Sequence, residues 1–189
     1  MKAVFIHDHY FVYNPQSGID IEPNNSTAYL EDILITNTKA IGNKKRGFLI
    51  DLQKLNIKSK PVSITFKDCF AEGNMEGFSN RNFVGVQGNV VLENCKVKNS
   101  TLSGFTESYC LATSIKKTYR KCIAIDSYTH YKKENNNKYK SGFYISGKDS
   151  EKGIIGNSFF ENCQSINTKT TDIDYGIVID NGEKPFLNI

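Results

Sequence analysis

The sequence contains no long apolar stretch and no segment typical of a secretory leader. Across its 189 residues no run of 18 apolar residues occurs, so no transmembrane helix is predicted. The N-terminus MKAVFIHDHYFVY is a poor signal peptide because His7, Asp8 and His9 interrupt its apolar residues. With 39% hydrophobic and 23% charged residues, the composition is that of a folded chain of about one domain.

Several motifs that carry familiar chemistry are also missing. The five cysteines include no CxxC pair, which argues against a zinc knuckle or a dithiol redox site. There is no GxSxG nucleophile turn, no P-loop and no GxGxxG in a βαβ context. The net charge of +4 is spread along the chain without an arginine-rich block. This weakly basic charge is compatible with binding an acidic polymer, but no nucleic-acid-binding motif accompanies it.

The chain instead contains an internal repeat. A glycine followed by a large apolar residue recurs at Gly18, Gly47, Gly77, Gly104, Gly142 and Gly176. The shortest interval between these glycines is 27 residues, from Gly77 to Gly104, and the longest is 38, from Gly104 to Gly142. Repeats of this length are typical of solenoid proteins, in which each repeat packs on its neighbours.

A second motif lies between the glycines and aligns four of the five cysteines. One column of this alignment contains Thr38, Cys69, Cys95, Cys122 and Cys163. The preceding column is mostly asparagine or aspartate, and the column two residues later is small or apolar. Since a free cysteine behaves as a small hydrophobe, we expect an inward ladder of reduced thiols rather than disulfides.

Both motifs alternate with period two, and no helical periodicity separates them, which predicts short β-strands. Stacked repeats of this kind predict an all-β fold, a right-handed parallel β-helix (a solenoid) of about five to six coils, which could be truncated. Residues 1–16 are expected to form an N-terminal strand or cap, and residues 17–189 the parallel β-helix domain. The lysine- and asparagine-rich segment 131–140 is expected to be a solvated loop.

The strands that follow the glycines predict which side chains point away from the core. Alternation places one outward column at Asp20, Leu49, Ser79, Thr106, Tyr144 and Val178. A second outward column contains Glu22, Asp51, Arg81, Ser108, Ser146 and Asp180. Because neighbouring rungs lie about 4.8 Å apart, the charged side chains of the first three rungs would come within reach of one another.

The candidate catalytic residues are Asp20, Glu22, Asp51 and Arg81. When carboxylates lie close together, the pKa of at least one of them is raised, whereas an arginine lowers the pKa of the carboxyl beside it. Such a group of side chains can supply the acid and the base of glycoside hydrolysis. The three carboxylates could instead hold calcium, which prefers several carboxylate oxygens. In a lyase, a cation would neutralise a uronate while a basic side chain takes its proton. The alternative is a solvated surface with an Asp51–Arg81 salt bridge.

Two features complicate this interpretation. Asn80 and Glu107 fall at inward positions, where a carboxylate is costly, so a register shift that removes Arg81 from the site is an alternative. His7 and His9 could offer two imidazoles to a metal, but a strand with surface histidines is the preferred interpretation.

Three outward residues, Tyr144, Ser108 and Ser146, are candidate substrate-binding residues. The chain is rich in tyrosine, and an aromatic platform for sugars could combine Tyr144 with Tyr109, Tyr119, Tyr128 and Tyr131.

The segments SGIDIEPNN, ILITNTKAIGN, GFLIDL, VVLENCKVKNS and SFFENCQSIN resemble the right-handed parallel β-helix superfamily of pectate lyases, polygalacturonases, uronan epimerases and phage tailspikes. The resemblance covers about residues 17–182 and implies an outward parallel sheet that binds acidic or complex polysaccharides. GIDIEP is similar to a strand that contributes to the site of epimerase-type members, with Asn24 where those members usually have histidine.

The resemblance implies a carbohydrate-active protein that binds or cleaves an acidic polysaccharide, in a lyase-like manner. If it is an enzyme, it is a polysaccharide lyase or a glycoside hydrolase, and calcium is the only cofactor suggested. The alternatives are a non-catalytic module, such as a tail fibre, adhesin or surface protein, and an inactive fragment of a longer enzyme. The expected partner is a polysaccharide, with no nucleic acid and no membrane, and open solenoid ends could support a homo-oligomer. Fold analogy suggests an extracellular, cell-surface or virion location.

Overall fold

The structure is a computed structural model that describes residues 2–81, 85–108, 115–127, 141–146, 157–168, 175–180 and 185–186. All regular structure in these residues is β-strand. The strands are β1 Lys2–His7, β2 Tyr10–Val12, β3 Ile19–Ile21, β4 Glu31–Thr36, β5 Lys39–Ile41, β6 Arg46–Asp51, β7 Val62–Lys67, β8 Phe70–Glu72, β9 Glu76–Arg81, β10 Gly88–Glu93, β11 Lys96–Lys98, β12 Phe105–Ser108, β13 Ile115–Arg120, β14 Ile123–Ile125, β15 Ser141–Ser146, β16 Ser158–Glu161, β17 Gln164–Ile166, β18 Tyr175–Asp180 and β19 Pro185–Phe186.

These strands form three sheets that run along a β-solenoid. The first sheet has the order β1-β4-β7-β10-β13-β16, and the second contains β2, β5, β8, β11, β14 and β17. The third sheet contains β3, β6, β9, β12, β15 and β18, all parallel, and β19 pairs antiparallel with β18 at its end. The predicted parallel solenoid is thus confirmed, while its handedness and its number of coils stay predictions. Within the described residues no helix has the length and apolarity needed to cross a membrane.

The N-terminal residues are part of this architecture. β1 pairs in parallel with β4, and β2 pairs with β5, so they are the terminal strands of the first and second sheets. The strand predicted within residues 1–16 therefore lies against the next rung through ordinary ladder pairing.

Two corners in each coil explain the polar columns of the sequence. The corner between the first two strands has a left-handed backbone, with positive φ at Asp8, Asn37, Asp68, Asn94, Lys121 and Asn162. The corner after the second strand has positive φ at Tyr13, Gly42, Gly73, Asn99 and Asp126. Asparagine, aspartate and glycine adopt this conformation most readily, which accounts for the residues that precede the cysteine column.

Aromatic side chains stack along the interior. The rings of Phe48 and Phe78 stack with centroids 4.5 Å apart, followed by Phe78–Phe105 at 5.3 Å and Phe105–Phe143 at 4.8 Å. Tyr119 is buried and stacks on Phe160 at 4.8 Å, so it belongs to the core and not to an external sugar platform. Tyr109, Tyr128 and Tyr131 lie outside the described residues, as does the segment 131–140.

The cysteine column forms the predicted inward ladder. Cys69, Cys95, Cys122 and Cys163 are free thiols, and Cys110 lies outside the described residues. The Sγ of Cys69 lies 3.4 Å from the Ile35 carbonyl oxygen of the preceding rung and 3.3 Å from that of Lys67. Burial raises the pKa of the Cys95 thiol well above its ordinary value, which keeps this thiol neutral and unreactive.

A buried asparagine ladder supports the second corner. The backbone N–H and the Nδ2 of Asn43 both donate to the Oδ1 of Asn74, at 2.8 and 3.0 Å. The backbone N–H and the Nδ2 of Asn14 likewise donate to the Oδ1 of Asn43, at 3.0 and 2.9 Å. Each side chain therefore satisfies the polar groups of the rung before it, which removes the cost of burying an amide.

The repeated glycine is required by a close approach between rungs. A Cβ on Gly47 would lie 2.7 Å from the carbonyl oxygen of Gly77 and 2.9 Å from the Cβ of Ala71. Gly18 has an equivalent environment, 2.7 Å from the Gly47 oxygen and 3.0 Å from the Ala40 Cβ. The small column two residues after the cysteine thus leaves room for glycine alone.

We predict that Gly47→Ala lowers the free energy of unfolding by about 1–3 kcal/mol, because the Gly77 carbonyl belongs to the backbone and cannot move away cheaply. Urea denaturation monitored by circular dichroism measures the loss. Gly73→Asn is the matched control, since Gly73 has φ +64°, which asparagine tolerates, and its nearest contact is at 4.0 Å. An unchanged stability for Gly47→Ala would show that the rungs are not packed at this distance.

Candidate functional site

The pairing register of the third sheet tests the predicted outward columns. Asp20 pairs with Leu49, Leu49 with Ser79, Ser79 with Thr106, and Thr106 with Tyr144. In the second column Asp51 pairs with Arg81 and Arg81 with Ser108. The register does not shift at Asn80 or Glu107, so the alternative that removes Arg81 from the column is wrong.

Asp51 and Arg81 form the ion pair that the sequence suggested. The Nη1 of Arg81 lies 3.4 Å from the Oδ2 of Asp51, while the backbone N–H of Gln53 donates to the Asp51 Oδ1 at 3.2 Å. Asp51 is buried and the Arg81 side chain is 29% exposed. Both residues end their strands, which places the pair at one edge of the third sheet's outward face.

A second ion pair stands at the other end of the same two strands. The Nε of Arg46 lies 2.7 Å from the Oε2 of Glu76, and each side chain is 12% exposed. The charge of Arg46 lowers the pKa of the Asp20 carboxyl, so Arg46 lies close enough to influence that carboxylate. Sequence reasoning missed both residues, although each directly precedes a repeated glycine and extending that alignment by one residue would have found them.

Asp20 and Glu22 are the exposed carboxylates of this site. Asp20 lies in β3 and Glu22 directly follows it. Partial burial raises the pKa of Asp20, the negative charges of Glu22 and Asp51 raise it further, and the positive charges of Arg46 and Arg81 oppose the rise. We call Asp20, Glu22, Arg46, Asp51, Glu76 and Arg81 the charged cluster.

Within the described residues no three histidine, cysteine, aspartate or glutamate side chains have an arrangement that could hold a metal ion. Asp51 is directed to Arg81 and the Gln53 amide, and calcium binding at Asp20, Glu22 and Asp51 stays a prediction. The His7 side chain is part of a surface network: its Nε2 lies 2.8 Å from the Oδ2 of Asp8, and its Nδ1 lies 2.6 Å from the Oγ1 of Thr36.

The centre of the outward face is less exposed than the sequence suggested. Leu49, Ser79, Thr106 and Tyr144 point outward in register, yet all four are buried. Parallel sheets are normally covered on both faces, which agrees with this burial. Of the three candidate substrate-binding residues, Tyr144 and Ser146 are buried and Ser108 is half-buried. Among the described residues of this end of the sheet, the exposed carboxylates are Asp20 in β3 and Glu22 directly after it.

Of the two inward polar positions, Glu107 belongs to a buried network and Asn80 does not. Glu107 is ion-paired with Lys117 of β13, and both side chains are almost completely enclosed. The Oγ of Ser158 donates to the Glu107 Oε2 at 2.9 Å. Asn80, one rung away from Glu107, is 3% exposed and its side-chain amide has no hydrogen-bond partner among the described residues. The Glu107 carboxylate, which would be costly at an inward position on its own, is thus compensated by Lys117 of the first sheet.

Comparison of the chain with family models, curated proteins and solved structures found no match.

We predict that Glu107→Gln lowers the free energy of unfolding by about 3–5 kcal/mol, because it removes the carboxylate charge that is ion-paired with the buried Lys117 ammonium. The double variant Glu107→Leu/Lys117→Met removes both charges and should be much less destabilised. Urea unfolding of the two variants and the wild type checks this order. Equal losses for single and double variants would mean that packing, not charge compensation, dominates here.

We predict that Asp20→Asn stabilises the protein at neutral pH and has no effect at low pH. A carboxyl whose pKa is raised on folding binds its proton more tightly in the folded state, so its contribution to stability falls as pH rises above about 4. The Asp20→Asn variant has no carboxyl at this position, so it does not lose this stability as the pH rises. The melting temperatures of the variant and the wild type, measured at several pH values, should differ increasingly as the pH rises above this range. A difference that does not change with pH would contradict a raised pKa for Asp20.

Proposed function

We propose that this chain is a glycan-binding β-solenoid that contacts a polysaccharide through the charged cluster. The observation that carries the proposal is the pair of exposed carboxylates, Asp20 and Glu22, next to the strands β6 and β9, whose two ends carry partly buried ion pairs. Such a face offers a fixed row of hydrogen-bonding groups without the entropic cost of ordering a loop. The membership of the pectate-lyase-like superfamily, suggested by the sequence, belongs to the same proposal.

If the protein is an enzyme, the cluster favours acid–base hydrolysis over elimination. Asp20 has a raised pKa, which suits a proton donor, and Glu22 could activate a water molecule. A lyase needs a cation that is available to a uronate, whereas Arg46 and Arg81 are each engaged by a carboxylate.

A non-catalytic role is the second candidate, and a different observation favours it. The outward column from Leu49 to Tyr144 is buried, so these described residues do not line an open groove for a long chain of sugars. A tail fibre, adhesin or surface protein would use the stacked phenylalanine, cysteine and asparagine ladders as a stiff rod. An extracellular, cell-surface or virion location belongs to both versions of the proposal.

We expect the wild-type protein to bind at least one member of a panel of neutral, acidic and amino-sugar polysaccharides. Asp20→Asn and Glu22→Gln should weaken this binding without lowering the melting temperature, since both side chains are exposed. Any hydrolysis, followed as new reducing ends, should fall by about 10²- to 10⁴-fold in these variants.

Asp32→Asn is the matched control, because Asp32 is an exposed carboxylate on the first sheet whose positive φ asparagine tolerates. Binding without new reducing ends would favour the non-catalytic module. Absence of binding to every polysaccharide in the panel would refute the proposed function.

A further inference from the structure

We infer that the two ends of the solenoid are complementary, and that copies of this chain bind one another head to tail through the first and last coils. This inference is independent of the proposed glycan-binding function. Among the described strands, β1 and β2 are terminal in the first and second sheets at one end, and β16 and β17 are terminal in the same sheets at the other. Terminal strands present a row of backbone N–H and C=O groups to which another chain can add a strand.

Exposed large apolar side chains are concentrated at these two ends. Of the eight such side chains in the part of the chain that the structure describes, six lie in or directly after the strands of the first and last coils. They are Phe5, Tyr10, Val12 and Tyr13 in the first coil and Phe159 and Ile166 in the last. A concentration of exposed apolar surface is typical of an interaction site.

The pairing register aligns these apolar residues with one another. The column of Phe159 continues through consecutive coils to Phe5 in the first sheet. In the second sheet the column of Ile166 continues in the same way to Val12. A second copy stacked in this register would place its Phe5 beside Phe159 and its Val12 beside Ile166, about 4.8 Å away. Apolar cross-strand neighbours of this kind stabilise a sheet.

The charges at the junction are also complementary. Glu161 of β16 is paired with Arg120 at 2.8 Å, and its side chain remains 56% exposed. The column that contains both residues continues to His7 in the first coil. The carboxylate of Glu161 would therefore meet the imidazole of a second copy and not a like charge, which favours that copy as the occupant.

The interior side chains of the two ends fit together as well. A cavity of about 690 Å³ is lined by residues of the last two coils, Phe160 and Ser165 among them. At the other end the inward side chains of Ile6 and Phe11 are half-buried, whereas their counterparts in the next coil are completely buried. The register continues the column of Phe160 to Ile6 and that of Ser165 to Phe11. Stacking a second copy would thus cover apolar surface on both partners.

The third sheet sets the geometry of this contact. It contains seven strands where the other two contain six, because β19 pairs antiparallel with β18 at the last coil. β19 would lie between β18 and the β3 strand of the second copy, and one strand occupies about 4.8 Å. Successive copies would therefore be tilted relative to one another. Since the two contacting surfaces differ, the contact is heterologous and leaves a free end on each copy, so the assembly can grow.

Sedimentation velocity of the chain over a range of concentrations tests this inference. We expect the average mass to rise with concentration past that of a dimer, without a plateau there. Phe5→Lys and Ile166→Lys should each weaken association by at least about tenfold, because each places an unpaired charge in an apolar contact. Both side chains are exposed, so circular dichroism and the melting temperature should not change.

An equimolar mixture of these two variants identifies the orientation of the contact. The Phe5→Lys variant keeps an intact last coil and the Ile166→Lys variant keeps an intact first coil, so the mixture should form a dimer that does not grow. Its recovery would also show that both variants are folded. Ile57→Lys is the matched control, because Ile57 is 70% exposed but lies between β6 and β7, and this variant should associate like the wild type.

A wild-type chain that stays monomeric at every concentration would overturn the inference. So would a plateau at the dimer that Phe5→Lys abolishes and Ile166→Lys leaves intact, since this would indicate contact between two first coils. Association that neither variant weakens, or a mixture of the two that stays monomeric, would also overturn it. Each of these outcomes leaves the glycan-binding proposal standing, because that proposal is tested separately on Asp20 and Glu22.

Discussion

Parallel pairing in register is the constraint on which the rest of this structure depends. Each strand hydrogen-bonds to the equivalent strand of the next coil, so a residue lies about 4.8 Å from its counterpart in the neighbouring repeat. Like residues therefore stack on like residues, and each column of the sequence becomes a row in space. The phenylalanine stack, the thiol ladder and the asparagine ladder are three consequences of this single geometric rule.

In-register stacking also restricts which residue types some columns accept. At Gly18, Gly47, Gly77 and Gly104 the rungs approach so closely that a Cβ would meet the carbonyl oxygen of the next glycine in the column. At the corners the backbone adopts a left-handed conformation, which selects asparagine, aspartate and glycine in most coils. Lys121 occupies one of these corners without being a favoured residue, so the fold tolerates an occasional strained position when its neighbours are well formed.

Stacking also brings together charges that are far apart in sequence. Asp51 and Arg81 meet because they occupy the same position in consecutive coils, and Arg46 and Glu76 meet for the same reason. These pairs engage both arginines of the charged cluster, so the position of each charge follows from pairing between repeats.

The sequence by itself determined the solenoid, the inward columns and the register of the outward residues, because glycine, cysteine and phenylalanine recur with the period of the coil. Extending the glycine alignment by one residue would also have identified Arg46 and Glu76. What only the tertiary structure decided was how two sheets meet across the interior and how exposed each face is. Glu107 looked too costly for the core until Lys117, on a strand of another sheet, was found beside it. Leu49, Ser79, Thr106 and Tyr144 looked exposed, but are buried, because alternation gives the direction of a side chain and not what lies over it.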